Sequence, residues 1–242
     1  MRKRYVILTI LGGSALLILV LLSILLGLAM DRTSATAKQP KVDFPAMISG
    51  MRTLNRQMSG MTKQPYGTEK QMVLSEAEFN AITSAIFGNT FAAALLGGNA
   101  GKAILPKELL NTRLEVKDGI FRLTYTYDTG KNTPFGRYLN IFCSFNARIE
   151  NGALQLKILS CDAGDFPIPD ALAQHYADRL LEQKFKGSPM EKIISAGIIR
   201  FLAEDGKLTL RYRPQELVDA ADQAFFGSKK NKIRRFLNHY GR

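Results

Sequence analysis

Three dipeptides constrain the fold of this chain more than any other feature: Asp118-Gly119, Asn151-Gly152 and Asp205-Gly206. Each stands between two runs of alternating apolar and polar residues, the strongest local sign of a hairpin closed by a two-residue loop. Such a loop fixes the pairing. Around Gly119 it sets Val116 opposite Phe121 and Leu114 opposite Leu123. Around Gly152 it matches Ile149 with Leu154, Ala147 with Leu156 and Phe145 with Ile158. Around Gly206 it matches Ala203 with Leu208, Phe201 with Leu210 and Ile199 with Tyr212. Every hairpin then has one face that is apolar throughout, and a one-residue slip would mix the faces. The expected fold is α+β: an N-terminal transmembrane helix, then an antiparallel sheet of three hairpins with helices on its apolar face.

Helix signals supply the other layer. Ser75-Glu76-Ala77-Glu78 is a capping box opening a helix through about Phe87, and Ser188-Pro189-Met190-Glu191 opens another through about Ala196. Pro169 to Phe185 reads as a longer amphipathic helix carrying Leu172, Tyr176, Leu180 and Leu181 on one side. Pro214 starts a helix to Phe226, with Gly227 as its C-cap.

Tyr5 to Met30 is a run of 26 residues without a charge, longer than the roughly 20 needed to cross a bilayer. Gly27-Leu28-Ala29 resembles a signal-peptidase site, but the run is about twice a usual signal core of roughly 7–15 residues. We read an uncleaved anchor. Arg2, Lys3 and Arg4 before it favour a cytoplasmic N-terminus and a single-pass protein of the cell (inner) membrane. The expected organisation is a basic N-terminus (1–4), a transmembrane helix (5–30), a linker with a Met-striped segment (31–70), an extracytoplasmic domain (71–226) and a basic amphipathic tail (227–242).

The net charge of +12 is concentrated at the ends: three charges precede the anchor and six lie in the tail, leaving 24 basic and 21 acidic residues between. A nearly neutral body lacks the basic stripe that nucleic acid requires, so no nucleic-acid partner is expected. In the tail, Ile233, Phe236, Leu237 and Tyr240 recur at helical spacing while Lys229, Lys230, Lys232, Arg234 and Arg235 point elsewhere. Such a helix suits an anionic lipid surface, with Phe236 and those cations as contacts. Docking of the apolar stripe on the domain with its charges solvated is the favoured alternative.

Met47, Met51, Leu54, Met58 and Met61 follow a helical seam. With no His or Cys beside the sulfurs, packing is the reading rather than copper binding. The two cysteines leave a question open. The hairpin register sets Cys143 opposite Ser160, so a Cys143–Cys161 disulfide needs a bulge or bend, whereas export favours oxidation.

No catalytic, cofactor-binding or metal residues are expected from the sequence patterns. His175 and His239 stand alone, without the His-Glu-x-x-His or Gly-x-Ser-x-Gly patterns. Asp162, Asp165 and Asp170 sit at a Gly- and Pro-rich bend and suit turn and cap roles. Leu96 to Ala103 lacks both the first Gly and the Ser/Thr of a P-loop. A non-enzymatic domain without a cofactor is expected.

Leu74-Ser75-Glu76-Ala77-Glu78-Phe79-Asn80-Ala81, following an N-terminal anchor and accompanied by Gly-turn hairpins and Ile168-Pro169, resembles the YpmS-like family of bacterial single-pass membrane-anchored proteins. The resemblance covers about residues 5–30 and 70–220 and implies an exported domain akin to lipid-handling half-barrels. It transfers no site residues. The expected function is non-catalytic binding of lipid or another apolar ligand between the sheet and the helices Ser75–Phe87 and Pro169–Phe185. The alternative is a structural or assembly role engaging envelope partners.

Overall fold

The computed structural model describes residues 20–37, 43–87 and 111–226. These form a helix α1 (described over 20–29), β1 (Met30–Asp31), α2 (Phe44–Met58), β2 (Lys70–Ser75) and α3 (Glu76–Phe87). There follow β3 (Thr112–Lys117), β4 (Ile120–Thr133), β5 (Gly136–Glu150), β6 (Ala153–Ala163) and β7 (Phe166–Ile168). The chain ends, as described, with α4 (Asp170–Leu180), α5 (Pro189–Gly197), β8 (Ile198–Glu204), β9 (Lys207–Tyr212) and α6 (Pro214–Phe226). The fold is α+β, and the strands join in one antiparallel sheet with the path β2-β9-β8-β5-β4-β3.

Strand β5 organises the sheet. One of its edges pairs first with β4 and then, at Ile149 and Glu150, with β8; the other pairs with β1 and β6. The three turns form where expected, with Asp118, Asn151 and Asp205 at φ near +50° and a glycine of positive φ after each, the geometry of tight hairpin loops. Gly119 is needed twice over. Its φ is +75°, and a Cβ there would lie 2.6 Å from the Ala203 carbonyl oxygen of the neighbouring hairpin.

Pairing near the turns follows the expected register, including Val116 with Phe121, Ile149 with Leu154 and Phe201 with Leu210. It departs further out. An extra residue, Leu159, enters β6 between the Phe145–Ile158 and Ser144–Ser160 pairs. Ile199 bulges likewise, so Ile198, not Ile199, lies opposite Tyr212. An inserted residue shifts every later pair by one, which turn chemistry alone does not reveal.

The apolar face carries two adjacent clusters. Val116, Phe121 and Leu208 pack with Phe79, Phe145 and Phe201, with Phe121 stacked on Phe145 at 5.5 Å between ring centroids and edge-on to Phe79. Met61, Tyr212 and Val218 form the second with Met72, Leu210 and Leu217. Leu208 and Tyr212 are four residues apart on β9, so both clusters share a face.

The caps form as read. Ser75 Oγ accepts from the Glu78 amide while Glu78 Oε2 accepts from the Ser75 amide at 2.9 Å, and Ser188 Oγ accepts from the Glu191 amide. The helix expected over Pro169–Phe185 keeps α-geometry only to Leu180, and Leu181–Phe185 widen into a π turn. Gly227 lies outside the described residues.

Candidate functional site

The junction between α1 and the sheet is the most heavily constructed feature outside the core. Asn140 on β5 is 3% exposed and spends its amide on the chain leaving α1. Its Nδ2 donates to Asp31 Oδ2 (2.6 Å) and to the Thr33 carbonyl (3.0 Å), and its Oδ1 accepts from the Ala35 amide and the Thr126 hydroxyl. Met30 and Asp31 pair with Leu139 and Tyr138 as a short strand. The Leu28 carbonyl accepts from the Asp165 amide at 2.8 Å. Gly164, at φ +57°, lets the β6–β7 turn approach so closely that a Cβ would lie 2.6 Å from that carbonyl oxygen. The segment expected as a linker is therefore docked through Ala35. A buried amide with four satisfied partners holds a chain far better than solvated contacts do.

Above this clasp, the apolar side chains of α1 are exposed among the described residues. Val20, Leu21, Leu22, Ile24, Leu25, Leu26 and Leu28 are all between 41% and 53% exposed. Among the described residues no helix is long and apolar enough to cross a membrane. Residues 5–19 of the expected span lie outside those described.

The β4–β5 turn stands beside α1. A Cβ on Gly27 would lie 3.8 Å from Phe135 Cδ1. Next to it, Arg137 clamps Asp128 through two hydrogen bonds of 2.8 Å and lies over the Tyr138 ring. The Asp128 carboxyl is lowered to about 2, chiefly by the Arg137 hydrogen bond and then by the Gly130 amide.

The cysteines meet. The Leu159 bulge brings Cys143 opposite Cys161, where the register without it gave Ser160, and the two are joined as a disulfide. Side chains cover the outer edge of β3 and part of β6. Asn80 on α3 donates to the Val116 carbonyl (2.7 Å) and accepts from its amide (2.6 Å), and Glu76 accepts from Gly119. Gln174 on α4 does the same for β6, accepting from the Ile158 amide and donating to the Leu156 carbonyl. These amides imitate a neighbouring strand.

That placement of α4 corrects an expectation. The helix lies along the β6 edge through Ala173 and Gln174, leaving Leu172, Tyr176 and Leu180 outward at 47%, 57% and 57% exposed. It does not roof the apolar face, and the phenylalanine cluster occupies the space beneath α3. A cleft of about 850 Å³ opens instead where β4 and β8 part along β5, lined by Asn146, Arg148, Lys157, Arg200 and Glu204 among others. Its walls mix both signs of charge.

The methionine seam divides. Met47, Met51 and Leu54 are half-buried on α2, Met58 is exposed, and Met61 is buried beneath α6. Gly50 lets α2 settle on Ile82 of α3, and the Ser49 hydroxyl donates to Glu78, which with the Ser75 amide lowers that carboxyl's pKa. Asp165 serves the clasp through its amide and Asp170 opens α4. Among the described residues no three His, Cys, Asp or Glu side chains gather as metal ligands. His175 is exposed on α4. The Gly-rich stretch 96–103, His239 and the tail residues Lys229, Lys230, Lys232, Arg234, Arg235 and Phe236 lie outside the described residues.

No family model, no curated protein and no solved structure matches the chain. The chain is an α+β protein whose single sheet is clasped to an exposed apolar helix.

Proposed function

We propose that the chain is a single-pass, membrane-anchored protein whose extracytoplasmic domain works by contact with an envelope partner rather than by catalysis. The observation that carries this is α1, whose seven large apolar side chains between Val20 and Leu28 are all exposed and which is joined to the sheet without slack. A helix hydrophobic all round belongs in an apolar medium, and the uncharged run continues it back to Tyr5. A Cys143–Cys161 disulfide suits an oxidising compartment. The resemblance to the YpmS-like family agrees with this placement.

Between the two expected roles, assembly is favoured over lipid carriage. A lipid carrier needs an apolar cavity of several hundred Å³, whereas the sheet's apolar face is filled by Phe79, Phe121, Phe145 and Phe201, and the cleft along β5 carries Asp118, Arg148, Glu150, Lys157, Arg200 and Glu204 in its walls. The outward row Leu172, Tyr176 and Leu180 supplies an apolar surface for a partner protein.

Two measurements test the reading. Protease added to intact spheroplasts should digest the domain; protection of the bulk of the chain until lysis overturns the placement. A photoreactive residue at Tyr176 should yield a discrete protein adduct in living cells that disappears when Leu172 and Leu180 are changed to Ser. Absence of an adduct, together with lipid retained at fixed stoichiometry in native mass spectrometry, reverses the choice in favour of lipid binding.

A further inference from the structure

We propose that the turn of the β4–β5 hairpin, led by Phe135, enters the interfacial layer of the same bilayer that holds the anchor, giving the domain a second membrane contact. The inference rests on the anchored reading above and adds to it a defined seat for the domain.

The argument is one of depth. Gly27 lies three residues before the end of the uncharged run at Met30, so it sits only about 4–5 Å along the helix from that end. Phe135 is against Gly27. Whatever depth position 27 occupies, the Phe135 ring shares it. The clasp fixes this relation, because the Leu28 carbonyl, the Met30–Asp31 strand and the Asn140 amide leave no free linker between helix and sheet. A domain on a loose tether would set its own height, but this one cannot.

The composition of the turn fits that depth. Tyr127 and Tyr138 flank it, Tyr127 being exposed, and aromatic rings are the side chains that settle at the membrane–water boundary. Lys131 is exposed near the end of β4, shortly before the turn, where a long cationic side chain can reach headgroups. The acid in the turn, Asp128, is held by Arg137, so it does not approach the lipid as a lone charge. Pro134 and Phe135 form the turn itself, Pro134 exposed and Phe135 half-buried.

Tryptophan is absent from the sequence, so a single introduced Trp reports alone. The full chain is reconstituted in phosphatidylcholine vesicles with and without lipids brominated on the acyl chain, which quench only by direct contact. Four variants are compared: Phe135→Trp, Pro134→Trp in case the first disturbs the turn, Ile24→Trp in the anchor, and Ala153→Trp. The last is exposed beside the Asn151–Gly152 turn, about 40 Å along β5 from Tyr138. We expect loss of emission in brominated lipid for the Phe135 or Pro134 variant and for Ile24→Trp, with Ala153→Trp unaffected. Quenching at Ile24→Trp alone, with both turn variants as bright as Ala153→Trp, overturns the second contact and leaves the anchor intact. No quenching at Ile24→Trp overturns the anchored reading itself.

Discussion

Asn80 on α3 and Val116 on β3 exchange two hydrogen bonds, so the edge of the sheet meets a side-chain amide where a further strand would otherwise pair. Val116 is almost wholly buried, and neither its amide nor its carbonyl has water to fall back on. Asn80→Ala should therefore cost about 2–5 kcal/mol, since two buried backbone groups lose their partner together. Urea denaturation followed by circular dichroism measures this, and size-exclusion chromatography should show self-association through the freed edge. Unchanged stability and a sharp peak would mean the amide is dispensable.

Asn140 gives a prediction with a different signature. Asn140→Ala removes the partner of Asp31, Thr33, Ala35 and Thr126 at once. The expected outcome is local: faster proteolysis and hydrogen exchange at residues 31–37, with the β3–β6 strands still protected. Uniform loss of protection across the sheet would show instead that Asn140 supports the core.

The cross-strand disulfide closes a loop with a sequence separation of 18. Changing both Cys143 and Cys161 to Ser should lower stability by about 3 kcal/mol. In the unaltered protein, alkylation before reduction should add no mass, and alkylation after reduction should label both residues. Labelling without reductant would show that the thiols are free.

Arg137 and Asp128 set a pH response at the β4–β5 turn. The Asp128 carboxyl is lowered to about 2 in the fold, below the ordinary value of about 3.9 for an unfolded chain. A depressed acid contributes stability above its unfolded pKa and loses that contribution as pH falls towards the folded value. The clamp should thus persist at pH 5 and release between about pH 4 and 2. Carboxyl carbon chemical shifts follow it residue by residue. Arg137→Gln removes the largest cause of the shift, so the Asp128 midpoint should move upward; an unmoved midpoint would assign the shift to the Gly130 amide instead.

At the aromatic cluster, Phe121 touches Phe79, Phe145 and Phe201. Phe121→Ala should cost about 3–5 kcal/mol through lost contact and the cavity left behind, read as a lowered denaturation midpoint. A shift within error would mean the cluster collapses to fill the space.

Local chemistry wrote much of this fold into the sequence. Asp118-Gly119, Asn151-Gly152 and Asp205-Gly206 fixed three turns and the pairs beside them, because turn type and alternation are decided within a few residues. Ser75 and Ser188 marked two helix starts for the same reason. The position of Leu159 as a bulge was not legible, since an inserted residue is selected by what β5 and β7 present across the sheet; that bulge is what brings Cys143 to Cys161. Nor was the outward turn of Leu172, Tyr176 and Leu180, because Gln174 reaches the β6 backbone 16 and 18 residues earlier and rotates the helix to do so. The clasp itself joins Asn140 to Asp31 across 109 residues. No periodicity spans such a distance. Residues that far apart become partners only when packing has already brought their backbones together.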